Sequence, residues 1–142
     1  MNREILFRGK KSNGRWVYGS LVVSENIAPA IYYNVSKGVA DVLDWCYVNP
    51  DTIGQYTGLK DKDGNKIFEG DIVHLKGGGY GGSDVGKDYY RVVTFHEGSF
   101  CLSIEDGVHY PVHTPIYEYR GGYSIVNWVV IGNVTDNPEL IK

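Results

Sequence analysis

No run in this sequence approaches the roughly 20 apolar residues needed to span a bilayer, so nothing in it reads as a membrane helix. The opening residues, MNREILFRGKKSNGR, lack the apolar centre of a secretory signal. The expectation is a soluble, cytoplasmic protein with no membrane partner. Cysteine is scarce: Cys46 and Cys101 are far apart, and neither sits in a CxxC pair. Neither therefore shows the spacing of a zinc or redox site. In a reducing cytoplasm the two read as buried thiols, not as a bridge. Strong helix formers in sequence are also few, which turns the reading away from helices.

What is present is tyrosine, twelve residues, and glycine, nineteen. Tyrosine suits half-buried strands and binding surfaces, and glycine marks turns and bulges. Together they point to a mainly β protein. A length of 142 residues allows one domain, or two small modules, with a buried core. The net charge of −3 conceals an asymmetry. Arg3, Arg8, Lys10, Lys11 and Arg15 crowd the first residues against Glu4 alone, whereas acids outnumber bases from Tyr56 onward. An acidic total excludes a chain-wide field for gathering phosphate backbones and leaves only a local basic patch for that task.

Along the chain, Glu4 to Arg8 and Arg15 to Val23 read as strands joined by Lys11-Ser12-Asn13-Gly14. Asn13-Gly14 is the residue pair of a type I′ turn, with two positive-φ positions, so a hairpin is predicted. Pro29 to Tyr33 reads as another strand and Ser36-Lys37-Gly38 as a break. The segment 39–48 carries two signals. Val39, Val42, Leu43 and Cys46 have helical spacing, whereas Trp45-Cys46-Tyr47-Val48 has strand composition, which is favoured for its end. Asn49-Pro50-Asp51 stops it, with Asp51 placed to cap one helical turn. Further on, Asp71 to Leu75, Tyr89 to Phe95, Phe100 to Ile104 and Trp128 to Gly132 are strand candidates. Gly77 to Gly82 reads as a mobile loop, and Asn137-Pro138-Glu139-Leu140 as a final turn anchored on the core by Leu140 and Ile141.

The densest local pattern is GLKDKDGNKIFEGDIV, from Gly58 to Val73: an acidic turn, an extended run ending in Ile67-Phe68, and Glu69-Gly70-Asp71 entering an apolar strand. Thr52-Ile53-Gly54-Gln55-Tyr56-Thr57 precedes it. Arg3-Glu4-Ile5-Leu6-Phe7-Arg8-Gly9 and Trp16-Val17-Tyr18-Gly19 open the chain, and Ile131-Gly132-Asn133-Val134-Thr135-Asp136-Asn137-Pro138-Glu139-Leu140 closes it. In these segments, spread over essentially the whole length, the chain resembles the YopX family of small phage and prophage proteins. The resemblance implies a phage- or prophage-encoded accessory protein in a bacterial host cell, and it brings no activity or site residues with it. Gly58, Gly64 and Gly70 are read as positive-φ or closely packed positions, and Asp61 and Asp71 as acceptors for neighbouring turn amides. A Gly-Asp step into an apolar strand, then a long loop and meander strands, is also the pattern of SH3-like barrels, which host many functions.

Each motif with chemical content has a simpler reading. Gly81 to Lys87 has phosphate-loop spacing, but Asp88 replaces the metal-binding Ser or Thr and a strand follows where a helix N-terminus is needed. Asp61-Lys62-Asp63-Gly64-Asn65 matches the start of a calcium loop, but Lys66 and Ile72 stand at its glycine and glutamate positions. A hairpin turn explains it. His109 and His113, if extended, lie roughly 13 Å apart, too far for one zinc. Ser99 and Ser103 lack a glycine-flanked elbow. No catalytic residue, metal or cofactor is assigned, and the expectation leans away from an enzyme.

The basic hairpin is the one candidate site. Arg3, Arg8, Lys10, Lys11 and Arg15, interleaved with Phe7, Trp16 and Tyr18, have the make-up of a single-stranded nucleic-acid surface. The preferred alternative is that the aromatics face the core while the cations keep an edge hairpin soluble. The expected architecture is mainly β: an N-terminal β-hairpin module over residues 1–55, packed on an SH3-like, partly open β-barrel over residues 56–142. The expected function is a non-enzymatic macromolecular interaction module with a protein partner or itself, as a homo-oligomer. Nucleic-acid binding is the alternative. A small hydrolase with dispersed residues, collecting groups such as His74 and His96 in a pocket, is the third.

Overall fold

Two hairpins in this protein turn by the same device. In each, an amide bonds back three residues, Gly14 N to Lys11 O at 2.9 Å and Gly64 N to Asp61 O at 3.1 Å. In each, the glycine alone holds positive φ, +81° and +87°. This is a type I turn closed by a left-handed glycine, the three-residue hairpin loop with a bulge. The type I′ turn expected at Asn13-Gly14 does not form, because Asn13 stays out of the left-handed region. That conformation occurs instead at Glu97 and Gly98, φ 47° and 81°, between the paired residues His96 and Ser99.

The computed structural model describes residues 2–36, 38, 40–76, 86–104, 107, 109–111 and 128–141. Among them are eleven strands: β1 (Phe7–Lys10), β2 (Trp16–Ser24), β3 (Ile27–Asn34), β4 (Leu43–Tyr47), β5 (Gly54–Lys60), β6 (Lys66–Phe68), β7 (Asp71–Leu75), β8 (Tyr89–His96), β9 (Ser99–Ser103), β10 (His109–Pro111) and β11 (Val129–Asn133). Single 3-10 turns occupy Pro50–Thr52 and Pro138–Ile141. The fold is mainly β and antiparallel throughout. The glycine loop 77–82 and His113 lie outside the described residues, as does most of the phosphate-loop-like segment.

The chain divides into two compact units, Met1–Tyr56 and Thr57–Lys142. In the first, the strands lie side by side in the order β4-β3-β2-β1, and β1 takes the start of β5 on its other side. The ambiguous segment before Val48 resolves as strand β4, paired with β3 over its whole length. Asn49, not Asp51, caps the turn after it, its side chain accepting from Asp51 N at 3.0 Å. The residue before a proline is held extended, which suits an N-cap and leaves Asp51 inside the turn.

In the second unit, the end of β5 forms a hairpin with β6, and five strands pair in the order β10-β9-β8-β7-β11. Among the described residues this sheet is open and not a closed barrel. One of its faces carries Val73, Val93 and Leu102, which pack with Ile67 and Trp128 into a fully buried cluster. Leu140 and Ile141 do not join that cluster; they line a cleft on the opposite face.

Within the Gly58–Val73 segment, Asp61 and Asp71 are structural. Asp71 is buried, and its Oδ2 accepts the Phe68 amide at 2.7 Å. Asp61 is buried too, and its carboxylate accepts Asn65 N at 2.8 Å, Asp63 N at 2.9 Å, Asn65 Nδ2 at 3.2 Å and, from β11, Val130 N at 3.0 Å. Burial alone raises the Asp61 pKa, but the bonds from Val130, Asn65 and Asp63 outweigh it and hold the carboxyl below its ordinary value of 3.8.

Two outcomes follow from these contacts. Gly70 holds φ +88°, donates to Val93 O and accepts from Val134 N, so its backbone cannot relax. Gly70→Val should cost about 1–3 kcal/mol and lower the melting temperature by several degrees, read by thermal unfolding. Asp61, with its lowered folded pKa, contributes stability above the unfolded carboxyl range that is lost as pH falls through the folded value. Urea unfolding should show wild type more stable than Asp61→Asn at neutral pH, with the gap narrowing below about pH 4.

Candidate functional site

The strand register of the first unit decides which residues share a face. Arg8 faces Tyr18 and Lys10 faces Trp16; Ser20 faces Tyr32 and Tyr32 faces Trp45; Ala30 faces Tyr47 and Asn34 faces Leu43. All twelve residues reached by these pairings and by alternation along β2 (Val22 with them) lie on one side of the sheet. The other side carries the fully buried Ile31 with half-buried Phe7, Val17, Leu21 and Cys46. On the first side Trp45 and Tyr47 are 46% and 51% exposed, and Leu43, Tyr18 and Val22 are exposed as well. Tyr32 stacks on Trp45 with centroids 6.1 Å apart, and Tyr47 meets Trp45 edge-on at 5.0 Å. Cross-strand stacking of this kind holds large rings in place without burying them.

The structure distributes the five expected basic residues unequally. Arg8 and Lys10 share the aromatic face and lie over the Trp16 ring, at 4.8 and 5.5 Å from its centroid. Arg8 is buried there, so its guanidinium serves packing and cation–π attraction as well as charge. Lys11 and Arg15 flank the hairpin tip, Arg3 lies exposed before β1, and Phe7 points to the opposite face from Trp16. The aromatics of the hairpin are thus split between the two sides.

A second constellation lies in the other unit. On the sheet face opposite the Trp128 cluster, Ser103 Oγ is 2.5 Å from His109 Nδ1 and 2.5 Å from Thr94 Oγ1. The His109 ring stacks on His96 across the intervening strand, with centroids 3.9 Å apart. Thr94 and Ser103 also line a cleft of about 730 Å³. His74 and His96, named together in the sequence, do not meet. His74 faces Tyr90, stacks on it at 4.7 Å and has Asp88 3.6 Å away, whereas His96 lies six residues further along β8, roughly 20 Å distant. No group of three or more metal-ligating side chains occurs among the described residues.

The model of the YopX family, described as YopX protein, matches residues 6–142. The chain belongs to the YopX family. Among solved structures it is similar to protein EF1440 from Enterococcus faecalis, at 21% identity and a TM-score of 0.62, over 99% of this chain and 100% of that one. At that identity the likeness shows a shared fold for this YopX chain and no more. No curated protein matches it. The Ser103–His109–Thr94 contact was not legible in the sequence. Its three members stand on three adjacent strands whose pairing sets the contact, and no local motif marks any of them. The strand composition around Trp45 did signal the aromatic face, but not which side of the sheet it would occupy.

Proposed function

We propose that the protein is a phage- or prophage-encoded accessory module that binds another macromolecule through the aromatic face of its first unit. The observation that carries this reading is the ladder of half-buried Tyr32 with exposed Trp45 and Tyr47, continued by the exposed Leu43, Tyr18 and Val22. Contiguous apolar surface of this kind is costly to leave in water and marks interaction sites in soluble proteins. Tyrosine and tryptophan are also the residues that dominate interface energetics, because large rings with few rotors lose little entropy on binding. Strand β4 supports the reading further: it is the last strand on its side of the sheet among the described residues, so its edge can take another strand. The partner class is a protein, a second copy of this chain included, met in the bacterial cytoplasm.

Capture from a bacterial lysate and light scattering over a concentration series test this together. Trp45→Ala with Tyr47→Ala should weaken capture or self-association by at least about 30-fold, since each ring is an interface anchor worth about 2 kcal/mol or more. Circular dichroism should stay unchanged, because both rings are half exposed. Equal capture and equal mass for wild type and variant would overturn the reading.

One observation favours a second partner class, single-stranded nucleic acid. Arg8 and Lys10 sit over Trp16 on the same face as Tyr18, Trp45 and Tyr47, and the strand positions of that face include no acid. Cations beside stacking rings are the components of such a site. In gel-shift series with single-stranded DNA and RNA, binding should fall steeply with salt, and Lys10→Glu with Lys11→Glu should weaken it. No shift at low salt ends this alternative.

A further inference from the structure

We propose that Ser103 is a nucleophile with His109 as its general base, and that it accepts the acyl group of small apolar esters held in the cleft beside it. The inference concerns the second unit and is independent of the aromatic face. Ser103 is almost fully buried, yet its side chain is flanked by an imidazole nitrogen and opens on a cleft. A hydroxyl carries one proton. In the tautomer with Nδ1 bare, Ser103 gives that proton to His109, and Thr94 then donates to Ser103 Oγ. Thr94 is a positioning residue: its hydrogen bond turns the Ser103 proton toward the base. The separation of nucleophile and base is the short contact that proton abstraction requires. His96, stacked on His109 with an interplanar angle of 17°, fixes the plane of the ring.

The cleft sets the ligand class. Beside Thr94 and Ser103 its lining includes Val92, Val134, Leu140 and Ile141, which suit an apolar acyl chain, with Asp88 and Arg91 as its charged members. Its volume of about 730 Å³ lies in the range of small-molecule sites. Ser103 lines it, so a ligand in the cleft meets the hydroxyl that His109 holds.

In the step inferred, Oγ attacks the ester carbonyl carbon as its proton passes to Nδ1, forming an Oγ–C bond. The ester C–O bond then breaks, and the alcohol departs with the proton from Nδ1. Water, deprotonated by the same nitrogen, releases the acyl group as a carboxylic acid and restores the serine. The sequence of steps needs no oxidant or reductant. A hydrogen-bond chain that served packing alone would show the same distances but no reactivity.

The test is incubation of the full chain with a fluorescent alkyl fluorophosphonate at mildly alkaline pH, followed by intact mass and peptide mapping. Ser103 Oγ would form a bond to phosphorus and displace fluoride, while His109 accepts the hydroxyl proton. The expected result is one adduct, mapped to Ser103, forming roughly 100-fold more slowly in His109→Gln. Thr94→Val should slow it, Thr94→Ser should restore it, and Ser103→Ala should abolish it. Mapping the wild-type adduct identifies the residue without relying on any variant. No adduct on the wild-type protein, an adduct elsewhere, or a rate indifferent to His109→Gln would overturn the proposal.

Discussion

A β-strand sends successive side chains to opposite sides of its sheet, and neighbouring strands in register keep the sides consistent. Each sheet here therefore commits one side to a core and leaves the other to be something else. In the second unit the committed side is unambiguous: Val73, Val93 and Leu102 lie in one layer under Trp128. The other side of the same strands carries the buried Ile72 and Cys101 together with Val92, Thr94, His96, Ser99 and Ser103, and β10 adds His109. In the first unit the side opposite Ile31 holds Tyr32, Trp45 and Tyr47. Both candidate sites are consequences of the same alternation. A one-residue slip of β4 against β3 would exchange Trp45 for Asp44 and Cys46 on the exposed side, and the aromatic ladder would vanish.

What keeps register in the second unit is a small set of buried acceptors. Asp61 collects amides from its own turn and from Val130 on β11, so the hairpin and a strand far along the chain are fixed by one carboxylate. The Gly70 backbone bonds to Val93 and Val134, which locates β7 between β8 and β11. A buried carboxylate with every neighbour donating to it is stable, and removing it leaves several amides unpaired at once. This is why the densest local pattern of the sequence is scaffold, the reading its hairpin turn favoured over a calcium loop.

Local chemistry was legible from the residues; long-range pairing was not. The glycines at 14 and 64 announced hairpins, and the apolar runs at Asp71–Leu75 and Tyr89–Phe95 announced strands, because turns and strand composition are properties of a few adjacent residues. The turn type at Asn13-Gly14 was misread because Asn-Gly fits two hairpin geometries and the neighbouring Lys11 bond chose between them. The hydrolase reading, third of the three, needed a pocket that collects residues such as His74 and His96 from separate strands. Antiparallel register instead opposes His74 to Tyr90 and carries His96 toward β10. The contact between Ser103 and His109 depends on the same register and has no sequence signature of its own.

The aromatic side of the first unit holds Trp45, Tyr47 and Tyr18 in solvent, whereas Trp128 is buried in the other unit. That contrast gives binding a direct readout, hydroxyl-radical footprinting of the free protein and of a complex captured from a bacterial lysate. Trp45, Tyr47 and Tyr18 should lose reactivity in the complex, while Trp128 stays unreactive in both states and serves as the reference. A complex in which Trp45 and Tyr47 oxidise as fast as in the free protein, with protection falling elsewhere, would contradict a binding role for this face.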